Sequence, residues 1–119
     1  MNCALHALAE THAFQASAKA CGMTQREIDA TVQQIALAPD AGDVIAGSGG
    51  CRKVRVAGRG KGKSGGYRVV TLFGGGHMPV YLLWTLSKGD RGNFTDGEVA
   101  QMRTMVKAIT DAHRPRSVG

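Results

Sequence analysis

Seven of the chain's fifteen lysines and arginines fall between Arg52 and Arg68, and no Asp or Glu occurs from Val44 to Gly89. That central block carries +8, against −3 for residues 1–43 and +1 for residues 90–119, in a chain of 119 residues with net charge +6. Cations gathered without carboxylates attract phosphate, because ammonium and guanidinium groups donate charge-assisted hydrogen bonds to it; a phosphate-rich partner is implied. Lys53 and Arg55 alternate with Val54 and Val56, the period of a half-buried strand, so the two basic side chains share one face. Downstream, Arg59, Lys61 and Lys63 are interleaved with glycines. Such a segment makes a pliable hairpin tip that approaches a phosphodiester backbone closely.

Two phosphate-binding motifs fail on context. Ala57 to Ser64 resembles a relaxed P-loop, and Gly60, Gly62 and Gly65 match the dinucleotide fingerprint. Both motifs work by opening a helix whose amides cradle phosphate, yet the next residues, Gly66-Tyr67-Arg68-Val69-Val70, read as a strand. His6, His12, His77 and His113 are scattered, with no pair at metal-ligand spacing, so neither a metal nor another cofactor is expected. Ser64 and Ser87 have no visible base partner. Cys3, Cys21 and Cys51 are an odd number at wide spacing. They argue against a disulfide framework, fit a reducing cytoplasm, and suit small buried apolar positions.

The elements that must hold these residues are legible from spacing. Phe14, Ala18 and Cys21 recur at helical intervals before Gly22, which supplies a stop. Thr24 and Glu27 form a capping box, with Met23 and Ile28 as its hydrophobic staple; Ile28, Val32 and Ile35 line a face, and Pro39 ends the run. The segment before Ala13 has helix-favouring composition but also suits a short edge strand. Three β-rich runs follow, around Cys51–Val56, Tyr67–Phe73 and Val80–Leu86, the last two joined by turn chemistry from Gly74 to Pro79. Val80 to Trp84 is apolar on both faces, as a central strand should be. Thr95 with Glu98 repeats the capping box, Phe94 and Val99 staple it, and Val99, Met102, Val106 and Ile109 form the buried face of a helix ended by Pro115. Helices, an antiparallel meander and a helix predict a small α+β domain. The length suits one domain, no window approaches a membrane span, and no basic n-region precedes an apolar run, so a cytoplasmic protein is expected.

Residues 42–110 resemble the RelE/HigB toxins of bacterial toxin–antitoxin modules. The likeness rests on Gly42-Asp43-Val44-Ile45, Gly49-Gly50-Cys51-Arg52-Lys53-Val54-Arg55, the run from Gly58 through Lys63-Ser64-Gly65-Gly66-Tyr67-Arg68-Val69, and Leu86-Ser87-Lys88. Its most specific piece is Lys-Ser-Gly-Gly-Tyr-Arg entering a strand. The resemblance implies one RelE-like domain over residues 1–114 and a short tail over 115–119, with N-terminal helices packed on a three- to four-stranded antiparallel sheet and a C-terminal helix. It also implies a ribosome-dependent messenger-RNA endonuclease held inactive by a cognate antitoxin, commonly a helix-turn-helix protein, with operator DNA reached only through the antitoxin complex.

RNA is cut without a metal when its own 2′-hydroxyl attacks the adjacent phosphorus, a reaction that needs a base, positive charge on the phosphorane and an acid. By resemblance, Lys53 is the candidate base, Arg68 the transition-state stabiliser, and Arg55 supports either. Arg59, Lys61 and Lys63 are candidates for ribosomal RNA contact, with Arg52, Tyr67, Lys88 and Arg91 as further RNA contacts. The chain departs from RelE at Gly89, where RelE has an arginine, and near Thr95, where RelE has a base-stacking tyrosine; the general acid is unassigned. Lys88 or Arg91 can supply the missing charge. Tyr67, Tyr81 or Phe94 can in principle supply a stacking surface, but Tyr67 and Trp84, lying in apolar runs, are read as core packing rather than as base-stacking platforms. Two other functions fit the same scaffold: a ParE-like inhibitor of gyrase, and a degenerate toxin that only binds nucleic acid with its antitoxin.

Overall fold

The computed structural model describes residues 7–56, 66–75, 78–87 and 94–113. The chain runs β1 (Leu8–Glu10), α1 (His12–Ala20), α2 (Gln25–Leu37), β2 (Asp43–Val44), β3 (Cys51–Val56), β4 (Tyr67–Leu72), β5 (Val80–Ser87) and α3 (Asp96–Ala112). The strands form one sheet in the order β1-β5-β4-β3-β2. All pairings are antiparallel except β1 with β5. The α+β class is as expected, while the sheet is wider than the meander alone. The ambiguous segment before Ala13 is the parallel strand β1, and Asp43–Val44 adds a short antiparallel edge.

Each helix starts where its capping chemistry places it. Thr24 Oγ1 accepts from Glu27 N at 3.1 Å and Glu27 Oε1 accepts from Thr24 N at 2.9 Å. Thr95 and Glu98 make the same exchange at 3.1 and 2.8 Å. These reciprocal bonds satisfy amides that lack partners in the first helical turn. Thr11 caps α1, accepting from Phe14 N, and its hydroxyl also donates to Leu82 O at 2.8 Å, which ties the start of the helix to β5. Gly22, at φ 81°, takes the left-handed position that closes α1.

Alternation along the strands sorts their side chains onto two faces. Val54, Val56, Val69 and Leu82 pack with Phe14, Ala18, Met23 and Ile35 of the α1–α2 layer. Cys51, Val70, Leu72 and Leu83 pack with Met102 and Val106 of α3. The sheet is therefore covered on both sides, and burying each large apolar side chain contributes about 1.5–3 kcal/mol. Because β1 pairs only with Val80 to Leu82, the far half of β5 has no strand beside it on that edge among the described residues. Helix α1 serves that half instead: Ser17 Oγ accepts from Thr85 N at 2.9 Å, and the Cys21 thiol donates to Thr85 O at 3.5 Å.

The β4–β5 ladder contains one irregularity. Val70 pairs with Trp84 but Thr71 pairs with Leu82, so Leu83 is an extra residue on β5. Such a bulge resets the alternation beyond it. Without it, Trp84 would share the face of Leu82 under α1 and α2; with it, Trp84 shares the face of Val70. Trp84 is 40% exposed. Its apolar run predicted core packing, and the bulge is the reason it is instead turned to the α3 side and open to solvent.

Candidate functional site

The face that α3 covers at one end carries the cationic residues at the other. Arg55 pairs directly with Arg68 across β3 and β4, and Arg68 with Leu86 across β4 and β5. One register step away, Asp43, Lys53, Val70 and Trp84 form a second transverse row through β2, β3, β4 and β5. Directly opposed residues project to the same side of a sheet. Lys53, Arg55 and Arg68 therefore stand together on one face, as the alternation of strand β3 and the expected strand at Arg68 imply. Arg55 is exposed and Lys53 and Arg68 are half-buried.

Local sequence explains this placement. Val54 and Val56, each 4% exposed, anchor β3 in the α1–α2 core, and alternation forces Lys53 and Arg55 to the opposite side. Gly42 has φ 96°, and a Cβ there would lie 2.6 Å from the Lys53 carbonyl oxygen, so only glycine lets the chain pass this close to the strand bearing Lys53. The Lys53 side chain lines a cleft of about 320 Å³ with Asp43, Ile45, Phe94, Asp96 and Val99. Lys53 thus lies between carboxylates on its β2 and α3 sides and the two arginines along the sheet.

The remaining candidates divide. Arg52 projects to the face opposite Lys53, and its Nη1 donates to the Gly42 carbonyl at 3.1 Å. Tyr67 also lies on the helix-covered face, packed against the α1–α2 core, with its hydroxyl donating to Glu27 Oε1 at 3.2 Å. Burial, then the Glu27 carboxylate, pushes the Tyr67 phenol above its usual pKa. The structure does not bring Tyr67 or Arg52 to the face of Lys53, Arg55 and Arg68, because each is adjacent in sequence to a residue that is on it. Arg59, Lys61, Lys63, Lys88 and Arg91 lie outside the described residues.

Phe94 packs against the α3 cluster that contains Val70 and lines two clefts, one with Lys53 and one with Trp84. Tyr81 instead pairs with His113, Oη to Nε2 at 2.6 Å, at the end of α3. Sequence spacing missed Asp43 and Trp84 as members of this surface. The two-residue strand β2 is too short to show alternation, and five apolar residues in a row hide the bulge. Among the described residues, no group of three or more His, Cys, Asp or Glu is placed to hold a metal ion, and no helix is long and apolar enough to cross a membrane.

Three cations on one sheet face, two of them in direct register, are suited to holding a phosphodiester and stabilising charge that develops on it. A family model described as the RelE toxin of the RelE / RelB toxin–antitoxin system matches residues 8–116.

Proposed function

The chain belongs to the RelE toxin family and is a toxin of a toxin–antitoxin module with a cognate antitoxin; from that premise we propose that it is a ribosome-dependent endoribonuclease acting on messenger RNA. The observation that carries this reading is the Arg55–Arg68 pair standing beside Lys53 on one face of the sheet. In the reaction, the 2′-oxygen loses its proton and bonds to the adjacent phosphorus. The bond from phosphorus to the 5′-oxygen breaks, and that oxygen takes up a proton, leaving a 2′,3′-cyclic phosphate and a 5′-hydroxyl.

Lys53 takes the role of base for the 2′-hydroxyl, while Arg68 and Arg55 hold the non-bridging oxygens as negative charge builds on the phosphorane. Planar guanidinium groups suit this task because they present paired donors to phosphate. The Arg59, Lys61 and Lys63 loop positions the toxin against ribosomal RNA, with Lys88 and Arg91 as further contacts. The antitoxin, of the helix-turn-helix kind, covers the basic face and brings the pair to operator DNA.

The test is to induce wild type and Arg68→Ala in cells and map 5′ ends on a translated reporter and an untranslated control, following growth in parallel. Cuts confined to the translated message and reduced about 10²–10³-fold in Arg68→Ala are expected, the usual loss when one transition-state donor is removed. Growth arrest without cuts would sink the nuclease mechanism and direct attention to gyrase. Folded protein giving neither cuts nor arrest would point to a degenerate binding module.

A further inference from the structure

Trp84 is the chain's single tryptophan, and a large aromatic ring on a strand between two helix layers is ordinarily enclosed. Here it is 40% exposed. An isolated apolar residue at a surface needs no explanation, but the surroundings of Trp84 are specific. The extra residue Leu83 turns it over to the face of Lys53, Arg55 and Arg68. Bulges beside active sites characteristically re-aim one side chain in this way. The resulting position is a diagonal cross-strand neighbour of Arg68, since Arg68 pairs with Leu86 and Val70 with Trp84. Diagonal neighbours sit roughly 7–8 Å apart, within reach of aromatic and long side chains.

Two clefts border Trp84. One is lined by Leu83, Phe94, Met102 and Met105 together with Glu98 and Gln101. The other, of about 550 Å³, is lined by Ser17, Cys21 and Leu86 and shares Glu98 with the first. An apolar ring beside apolar side chains, with polar groups among them, fits a flat group that has unsaturated faces and hydrogen-bonding edges. The neighbouring arginines fit the anion to which that group is attached. A nucleobase with its phosphodiester combines both. Unpaired bases of RNA are held by stacking on aromatic side chains, whereas a phosphate alone has no use for the ring.

We propose that Trp84 is a stacking platform for a base of the substrate RNA, next to the phosphodiester held by Arg68; this rests on the nuclease reading above. The ring fixes the nucleotide so that its 2′-hydroxyl and phosphorus are presented to Lys53 and the arginine pair. Trp84 is then a substrate-binding residue that sets which base is accepted beside the cut.

Because the tryptophan is unique, its fluorescence reports on itself. Purified wild-type protein is titrated with a short oligoribonucleotide, 2′-deoxy at the cut site, and with an abasic strand of equal length and charge. Quenching that saturates with the first and is absent with the second is expected; no quenching, or equal quenching by both, would overturn the proposal. In cells, Trp84→Ala should lower cleavage of the translated reporter about tenfold or more, the usual cost of losing one stacked base, while Trp84→Phe keeps most of it. A Trp84→Ala protein that cuts like wild type overturns the stacking role and leaves the nuclease reading intact. Wild type that cuts nothing removes both. Trp84→Ala that cuts normally but no longer binds the antitoxin assigns the groove to that protein instead.

Discussion

Arg55 and Arg68 stand directly opposite each other in the β3–β4 ladder, two cations in register on the same face. Like charges so placed oppose folding, by a few tenths to about 1 kcal/mol for exposed side chains. The arrangement is therefore held by the rest of the sheet, and an anion between the two groups relieves it. Arg55→Gln should leave the chemical-denaturation midpoint unchanged or raise it, while lowering cleavage. Inorganic phosphate should raise the thermal midpoint of wild type more than that of the variant. A variant clearly less stable than wild type would mean that Arg55 braces the fold.

Lys53 and the arginines differ in what a charge-preserving substitution removes. Lys53→Arg keeps a cation in the row with Asp43 and Val70 but replaces a group that can shed its proton by one that cannot. If Lys53 is the base, Lys53→Arg should lose about 10²–10⁴-fold in cleavage while retaining RNA affinity. Lys53→Gln should lose both. Single-turnover cleavage on programmed ribosomes, with affinity measured separately, makes the comparison; near-normal cleavage by Lys53→Arg would reduce Lys53 to an electrostatic role.

Where local chemistry decides, the sequence was sufficient. The two capping boxes, the glycine stop at Gly22 and the alternation of Lys53 and Arg55 are all interactions between residues a few positions apart, and each stands where its spacing implies. What escaped depends on pairing across the sheet. The segment at Leu8–Glu10 becomes a strand only because β5 offers it a partner. Tyr67 and Arg68 are neighbours in the most family-specific run, yet lie on opposite faces because the strand alternates. Trp84 lies on the face of the cationic residues because a single extra residue changes the register, and nothing in five consecutive apolar side chains marks which of them is extra.

Gly42 ties the β2 edge to the site by close approach rather than by a side chain. At φ 96°, with the Lys53 carbonyl oxygen 2.6 Å and Val54 Cγ2 2.9 Å from where a Cβ would sit, Gly42→Ala must both strain the backbone and displace β3. The strain alone costs about 1–3 kcal/mol. The displacement should also cost cleavage, because β3 carries Lys53 and Arg55. Gly22→Ala, where no atom lies within 4 Å of the added Cβ, is the control. It should lower the unfolding free energy through its left-handed backbone and leave the activity of the folded protein as in wild type.

The contact of Tyr67 with Glu27 makes part of the stability sensitive to alkali. The folded-state pKa of this phenol is raised by burial first and by the carboxylate second. The unfolded chain therefore sheds the proton more readily than the native protein. The associated stability is fully present below the ordinary tyrosine pKa of about 10 and is lost as pH rises through the higher folded value. Tyr67→Phe removes the hydroxyl, and with it this loss, while retaining the ring against the α1–α2 core. Denaturant titrations from pH 8 to pH 11 should show wild-type stability falling more steeply than that of Tyr67→Phe above pH 10. Parallel curves for the two proteins would mean that Tyr67 does not couple its ionisation to the fold.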